Sequence, residues 1–434
     1  MEVVKLVKLD NLEIEINEDY QKAFQEIDRN SNIFITGEAG TGKSCFLRLL
    51  CKKLKENHKN YVVLAPTGVA ALNVNGCTIH SFFKFSIHGI RPHIIENKKD
   101  LFKNLDVIII DEISMLRADL LDYIDEALKI NKNSNLPFGG CQMIFIGDLS
   151  QLPPVIMKQE QPLFTIIYDS PYFLSARCIS VDKLKMIKFT KIYRQKDNKF
   201  IKMLNQIRNG RVTYDTLNTL NTHVGKLNQN NILITTTNNV VKNYNILMLN
   251  KLEGKAKYYK AICDGINEND LSKYGIEKEI ILKKNAKIMF LNNDYENGWV
   301  NGSLGKVIDM SENQIIAELD SNERRVRVEK IETEINNYKW NDKNKKIEVE
   351  KQACIYQLPI KLAYSSTIHK VQGMTFDNIN LDLGYGAFAP GQLYVALSRA
   401  TSLDGITLMR PIIPKDIILD GRIDNIINNN CEVL

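Results

Sequence analysis

Residues Gly37-Glu-Ala-Gly-Thr-Gly-Lys-Ser44 follow the pattern G-x-x-x-x-G-K-S, a spacing suited to holding a nucleoside triphosphate. Gly37, Gly40 and Gly42 carry no side chains, so backbone N–H groups around Thr41 can curl about anionic oxygens. A helix that starts here adds the partial positive charge of its N-terminus. Lys43 can then reach the β- and γ-phosphates, and the Ser44 hydroxyl can ligate Mg²⁺. In Val107-Ile-Ile-Ile-Asp-Glu112, Asp111 is placed to hold Mg²⁺ through its water shell and Glu112 to polarise the attacking water as general base. Gln151, within Gly147-Asp-Leu-Ser-Gln-Leu-Pro-Pro154, can donate to a γ-phosphate and accept from the lytic water. Arg194 and Arg399 are candidate arginine fingers, since phosphoryl transfer spreads charge that a guanidinium fork neutralises. Ordinary interdomain salt bridges would use the same two residues.

These groups need rigid supports, and the hydrophobic pattern supplies them. The apolar run Ile33-Phe34-Ile35 leads into the glycine-rich loop, and Phe46, Leu49, Leu50 and Leu54 recur behind it at helical spacing. Short apolar runs at Tyr61–Ala65, Val107–Ile110 and Gln142–Ile146 read as strands of a parallel sheet covered on both faces. Leu120, Leu121, Ile124 and Leu128 form the stripe of a helix over 118–130. This first domain spans 1–185. An α/β texture returns over 186–255 and 356–420, with strands at Ile232–Thr235, Ala363–Ser366, Ile379–Leu383 and Ile406–Met409. Between them, 256–355 alternates over short runs separated by Asn and Gly turns, which suggests a small inserted β-barrel. Lys339–Lys346 reads as an exposed hairpin loop, and 421–434, with its Asn run at 428–430, as a frayed tail.

Composition excludes several classes. With 44% hydrophobic and 25% charged residues over 434 positions, the chain has the make-up of a globular protein with ample core. The segment from Met1 to Glu13 alternates charge and apolarity, unlike a secretion signal, and no apolar stretch is long enough for a membrane span. A cytoplasmic protein with no membrane partner is expected. Eight scattered cysteines without a C-x-x-C pair argue against zinc and against a disulfide framework. A net charge of +6 permits a nucleic-acid partner without demonstrating one. Asn97-Lys-Lys-Asp100 matches a guanine-reading pattern, but it precedes the Asp111 strand instead of following it, so it reads as a solvated charge run.

Taken together, the motifs resemble those of superfamily-one DNA helicases of the PIF (petite integration frequency) type. The resemblance runs from Tyr20-Gln21 to about Leu408. It rests on Ala65-Pro-Thr-Gly-Val-Ala-Ala71, Thr78-Ile-His-Ser-Phe82, Ile110-Asp-Glu-Ile-Ser-Met115, Gly147–Pro154, Ala363-Tyr-Ser-Ser-Thr-Ile-His-Lys-Val-Gln-Gly373 and the Arg399 segment. Pro137-Phe-Gly-Gly-Cys-Gln142 resembles the stretch that separates the PIF type from RecD-like translocases. The resemblance implies two RecA-like P-loop domains, a small β-barrel inserted in the second, and a small wedge insertion at about 76–102 in the first. Lys84–Lys99, with His88, Arg91 and His93, would form that duplex-splitting wedge; a basic surface loop is the plainer reading.

By the same resemblance Gln21 reads adenine, Gln372 and Gly373 join the ATP site, and Arg194 and Arg399 act as fingers from the second domain. DNA contacts are implied for Pro66, Thr67 and Gly68, for His80, Ser81 and Phe82, and for Thr367, His369 and Lys370. The implied activity is ATP- and Mg²⁺-dependent 5′→3′ translocation on single-stranded DNA. Duplex, forked and G-quadruplex DNA are implied substrates, in DNA repair and telomere maintenance. A minimal, bacterial-like core is expected, because little chain flanks the motifs; a monomer associated with the nucleoid is expected as well. Two alternatives stay open: a RecD-like translocase, and a P-loop switch that gates a protein partner with ATP.

Overall fold

A computed structural model describes residues 5–9, 12–85, 93, 95–179, 184–195, 197–294 and 296–434. The chain divides into two compact units. One comprises residues 1–193, 336–351 and 420–434; the other comprises 194–335 and 352–419.

The first unit is built on a seven-stranded sheet in the order Cys431–Val433, Leu184–Phe189, Ile33–Gly37, Gln142–Ile146, Val107–Ile110, Tyr61–Ala65, Cys77–Thr78, with all neighbours parallel. Successive side chains of a strand point to opposite faces. Phe34, Ile108 and Ile110 therefore enter one hydrophobic cluster with Phe145, Phe82 and Phe173. Ile33, Ile35, Val107 and Ile109 enter another with Phe46, Leu50 and Ile146. Burial on both faces is why each of these strands reads as an unbroken apolar run. The helix Lys43–Glu56 buries Phe46, Leu49, Leu50 and Leu54, the stripe expected from spacing.

Three sequence-based boundaries move. Leu184–Phe189 pairs with Ile33–Gly37, so the first unit extends to Tyr193 instead of ending at 185. The expected frayed tail is ordered: Ile423–Asn430 is a helix that buries Ile426, and Cys431–Val433 pairs with Leu184–Met186. The expected hairpin loop at 339–346 is exposed at its tip, but the strands flanking it are not solvated throughout. The Tyr338 hydroxyl accepts from Val63 N (2.9 Å) and donates to Val63 O (3.3 Å). It satisfies the edge of Tyr61–Ala65 where the short strand Cys77–Thr78 pairs only with Leu64 and Ala65. His88 and Arg91 of the expected wedge lie outside the described residues. Lys98, at the wedge's C-terminal base, is buried and donates to Phe82 O (3.0 Å) and Asn337 Oδ1 (2.7 Å).

The second unit holds a four-stranded parallel sheet in the order Ser365–Thr367, Ile232–Thr235, Ile379–Asp382, Ile406–Leu408. Its insertion contains a five-stranded antiparallel sheet: Arg325–Glu329, Gln314–Leu319, Leu304–Met310, Lys287–Phe290, Ile360–Leu362. Phe290, Trp299, Val307 and Leu282 fill its core. The antiparallel insertion is as expected. No helix among the described residues is long and apolar enough to cross a membrane.

Candidate nucleotide site and nucleic-acid contacts

The loop between Ile33–Gly37 and the helix at Lys43 is shaped by left-handed glycines at Gly40 (φ 86°) and Gly42 (φ 85°). A side chain at 42 would also collide, because an ideal Cβ there lies 2.4 Å from Tyr20 Oη. Tyr20 donates that hydroxyl to Gly42 O (2.8 Å) and packs its ring against Phe46 and Phe189. Asn17 caps the helix that carries Tyr20 and Gln21, accepting from Tyr20 N at 2.8 Å. Gln21 is exposed and donates to Ile16 O at 3.4 Å. Lys43 Nζ rests on two loop carbonyls, Gly37 O (2.7 Å) and Glu38 O (2.9 Å), and Thr41 Oγ1 donates to Glu38 O (2.9 Å). These neutral acceptors hold the ammonium at the loop, where a phosphate oxygen would outcompete them.

Asp111 and Glu112 end the strand two places from the loop strand in the sheet. Asp111 N donates to Leu64 O at 3.0 Å. Glu112 sits at φ 51°, a left-handed conformation that side chains seldom adopt and that recurs at functional sites. Burial first, then the Glu112 carboxylate, push the Asp111 carboxyl well above its usual range, while Lys43 pulls it down. A buried Asp111 with the half-buried Glu112 next to it, beside a phosphate loop, fits a divalent cation, with Ser44 and Asp111 as the residues to hold it. From the intervening strand Gln142–Ile146, the turn that follows brings Gln151, which is buried and donates its backbone N–H to Asp148 O at 3.0 Å. Loop, acids and glutamine thus share one carboxyl edge of one sheet, where open α/β sheets bind ligands.

In the second unit Arg194 donates to Ser398 O and Gly373 O, both at 3.3 Å. Arg399 is buried and donates to Val395 O (2.9 Å), Met374 O (3.2 Å) and Ser398 Oγ (2.8 Å). Residues from three distant segments, Arg194, Gly373 and Arg399, are therefore gathered; Gln372 adjoins them in sequence.

The segments expected to meet nucleic acid lie at strand ends. Pro66 to Gly68 follow Tyr61–Ala65, and Thr67 Oγ1 caps the next helix by accepting from Ala70 N (3.2 Å). Thr78 Oγ1 accepts from Ser81 N (3.2 Å), which fixes the turn carrying His80 and Ser81. Burial lowers the pKa of His80 and of His369, so both are neutral at neutral pH and offer hydrogen bonds without charge. Lys370 is exposed.

A profile of the PIF1-like helicase family matches residues 15–218. ATP-dependent DNA helicase Pif1 of Bdellovibrio bacteriovorus is 32% identical over 424 residues, covering 95% of this chain and 91% of that protein. The chain belongs to the Pif1 helicase family. A crystal structure of Bacteroides sp Pif1 with ADP-AlF4 matches with a TM-score of 0.87 at 35% identity, covering 97% of this chain and 100% of that one. Bacteroides Pif1 bound to ssDNA matches with a TM-score of 0.69 at 35% identity, over 96% of this chain and 97% of that one. Against eukaryotic family members the chain spans 58–63% of the relative's length.

Two residues of this Pif1-family chain take roles its sequence did not disclose. Phe82, expected to stack on a base, is fully buried among Phe83, Phe102 and Tyr338. It holds the His80–Ser81 turn from below, and its carbonyl receives Lys98. Thr367 is 3% exposed, and its hydroxyl accepts from Lys370 N (3.4 Å), so it shapes the turn that presents Lys370. Tyr193 is a further site residue that no motif marks. Its N–H donates to Gly40 O (2.8 Å), its hydroxyl accepts from Asn17 Nδ2 (3.3 Å), and its ring, 45% exposed, lies beside Gly42. Lys191 Nζ lies 5.4 Å from the ring centroid. The signal for it in the sequence is its place next to Arg194.

Proposed function

We propose that the chain is an ATP-dependent DNA helicase that moves 5′→3′ on single-stranded DNA and separates duplex, forked and G-quadruplex DNA on the bacterial nucleoid. The observation that carries this reading is that Lys43, Ser44, Asp111, Glu112 and Gln151 lie at one sheet edge in a chain of the Pif1 family. Bound Mg²⁺-ATP would supply the phosphoanhydride whose cleavage drives movement. Lys43 binds its outer phosphates, Glu112 accepts the proton of the attacking water, and Gln151 reports whether a γ-phosphate is present. Tyr193 supplies a face for the adenine ring, and Gln21 its polar edge. Arg194 and Arg399 act as fingers by neutralising charge that develops on the γ-phosphoryl group. Support for the arginine roles comes from their gathering with Gly373.

On the DNA side, Pro66–Gly68, His80, Ser81, His369 and Lys370 grip the phosphate backbone, with Thr67 donating its hydroxyl proton outward. Telomere maintenance and DNA repair are the settings implied by such substrates.

Turnover measured with and without single-stranded DNA tests the reading directly. Stimulation by single strands, together with unwinding of duplexes bearing a 5′ overhang and not a 3′ overhang, is expected. ATPase activity indifferent to DNA would instead mark a switch protein. Unwinding confined to 3′ overhangs would overturn the polarity alone.

A further inference from the structure

In the second unit, the loop 383–391 joins the strand Ile379–Asp382 to the helix Gln392–Leu397. It displays Tyr385, fully exposed, and Phe388, 63% exposed. Neither ring packs on another aromatic ring or on a cation among the described residues. Holding both rings in water forgoes the burial that large apolar side chains gain on folding, so a floppy loop would fold them inward. This loop cannot. Gln392, fully buried, accepts at Oε1 from Phe388 N (2.9 Å) and Ala389 N (3.4 Å). Asp416, also buried, is clamped by a two-pronged contact from Arg410 (2.7 and 2.8 Å) and accepts from Ala387 N (3.4 Å). Arg410 Nε donates to Gly384 O (2.8 Å), Asp382 Oδ1 accepts from Gly384 N (2.8 Å), and Gly391 N donates to Ile418 O (3.1 Å). The backbone on both sides of each aromatic is thereby held, and the two side chains are what the framework leaves out.

Placement indicates the occupant. The loop leaves the carboxyl end of a strand two positions from Ser365–Thr367, whose own carboxyl end leads into His369 and Lys370. At the usual strand spacing the two ends are ~10 Å apart, about three rises of stacked bases. A backbone gripped near Lys370 would bring its bases within reach of the loop, and an aromatic face accepts any base. We infer that Tyr385 and Phe388 form a stacking platform for the bases of single-stranded DNA in the second unit. The inference rests on the helicase reading, because DNA is its occupant. A protein partner is a different proposal, with a different outcome below.

The test uses the full chain and a fluorescein-labelled oligothymidylate, followed by anisotropy with ATPase turnover in parallel. Each of Tyr385→Ala and Phe388→Ala should weaken single-strand affinity by about 5- to 150-fold, the range for losing one stacked base. The salt slope should stay that of the parent, because no phosphate contact is removed. Phe388→Trp keeps an aromatic face and guards against a folding defect in the alanine variants. It should retain affinity, and the fluorescence it adds to that of Trp299 and Trp340 should be quenched by the oligonucleotide. Parental affinity in both alanine variants, or no quenching of the indole that Phe388→Trp introduces, would overturn the platform while the parent's DNA-stimulated ATPase leaves the helicase reading intact; a surface for a protein partner would give that result. A raised KM for ATP with unchanged DNA affinity would assign the rings to nucleotide and also overturn it. Loss of stimulation in the parent itself would remove the helicase reading.

Discussion

Gly42→Ala should disable the phosphate loop for two separable reasons, and a second substitution should remove one of them. Gly42 has φ 85°, where a side chain costs about 1–2 kcal/mol. The new Cβ would lie 2.4 Å from Tyr20 Oη, the atom that donates to Gly42 O at 2.8 Å. Tyr20 must then move, losing a hydrogen bond worth about 1 kcal/mol. Together these amount to about 2–3 kcal/mol, or roughly 30- to 150-fold in affinity for ATP. In the double variant Tyr20→Phe/Gly42→Ala the clashing oxygen is gone, and the next atoms, on the Tyr193 ring, are at 3.5 Å, ordinary contact. The hydrogen bond is lost with that oxygen, so against Tyr20→Phe alone only the backbone strain remains, and the glycine-to-alanine step there should cost about 5- to 30-fold. Titration with a fluorescent ATP analogue, across the parent and all three variants, reads the cycle. Should Gly42→Ala bind like the parent, or should it cost as much in the Tyr20→Phe background as in the parent, the steric account of this loop is wrong.

Other expectations follow from the same geometry. Glu112→Gln should keep ATP binding and lose hydrolysis by orders of magnitude; near-parental single-turnover rates would reassign the general base. Arg399→Ala should lower kcat far more than ATP affinity, and an effect confined to affinity would make it a structural arginine. Tyr193→Ala should raise the KM for ATP about 5-fold or more, as expected for losing ~1 kcal/mol of ring contact, with Tyr193→Phe near parental. Lys98 titrates near 10.5 when unfolded and, through burial, at about 8 in the fold, so the unfolded chain binds more protons between those values. Stability should therefore rise with pH from about 8 to 10.5, by on the order of 3 kcal/mol. Lys98→Met should flatten that rise in denaturation curves; an unchanged slope would exclude Lys98 as its source.

The apolar runs at 33–36, 61–65, 107–110 and 142–146 were legible because strands buried on both faces leave a continuous signal that local sequence carries. The phosphate loop was legible for a related reason: its chemistry needs particular residue types at fixed spacing within eight positions. Cys431–Val433 was not legible, since a three-residue edge strand has no periodicity to read, and only pairing with Leu184–Met186 defines it. Phe82 misled for the opposite reason. A polar–aromatic run looks like a stacking surface, yet whether an aromatic faces solvent depends on what covers it, here Phe102 and Tyr338 from remote segments.

What the sequence determined by itself is therefore the chemistry that local spacing encodes: a triphosphate loop, an acid pair, and a parallel sheet to hold them. Tertiary structure alone decided which distant residues share a place. It set Tyr193 against Gly40, gathered Arg194 with Gly373 and Arg399, and held Tyr385 and Phe388 outward on a framework of Gln392, Arg410 and Asp416. Those placements come from hydrogen bonds and packing between segments up to two hundred residues apart, and no local pattern records them.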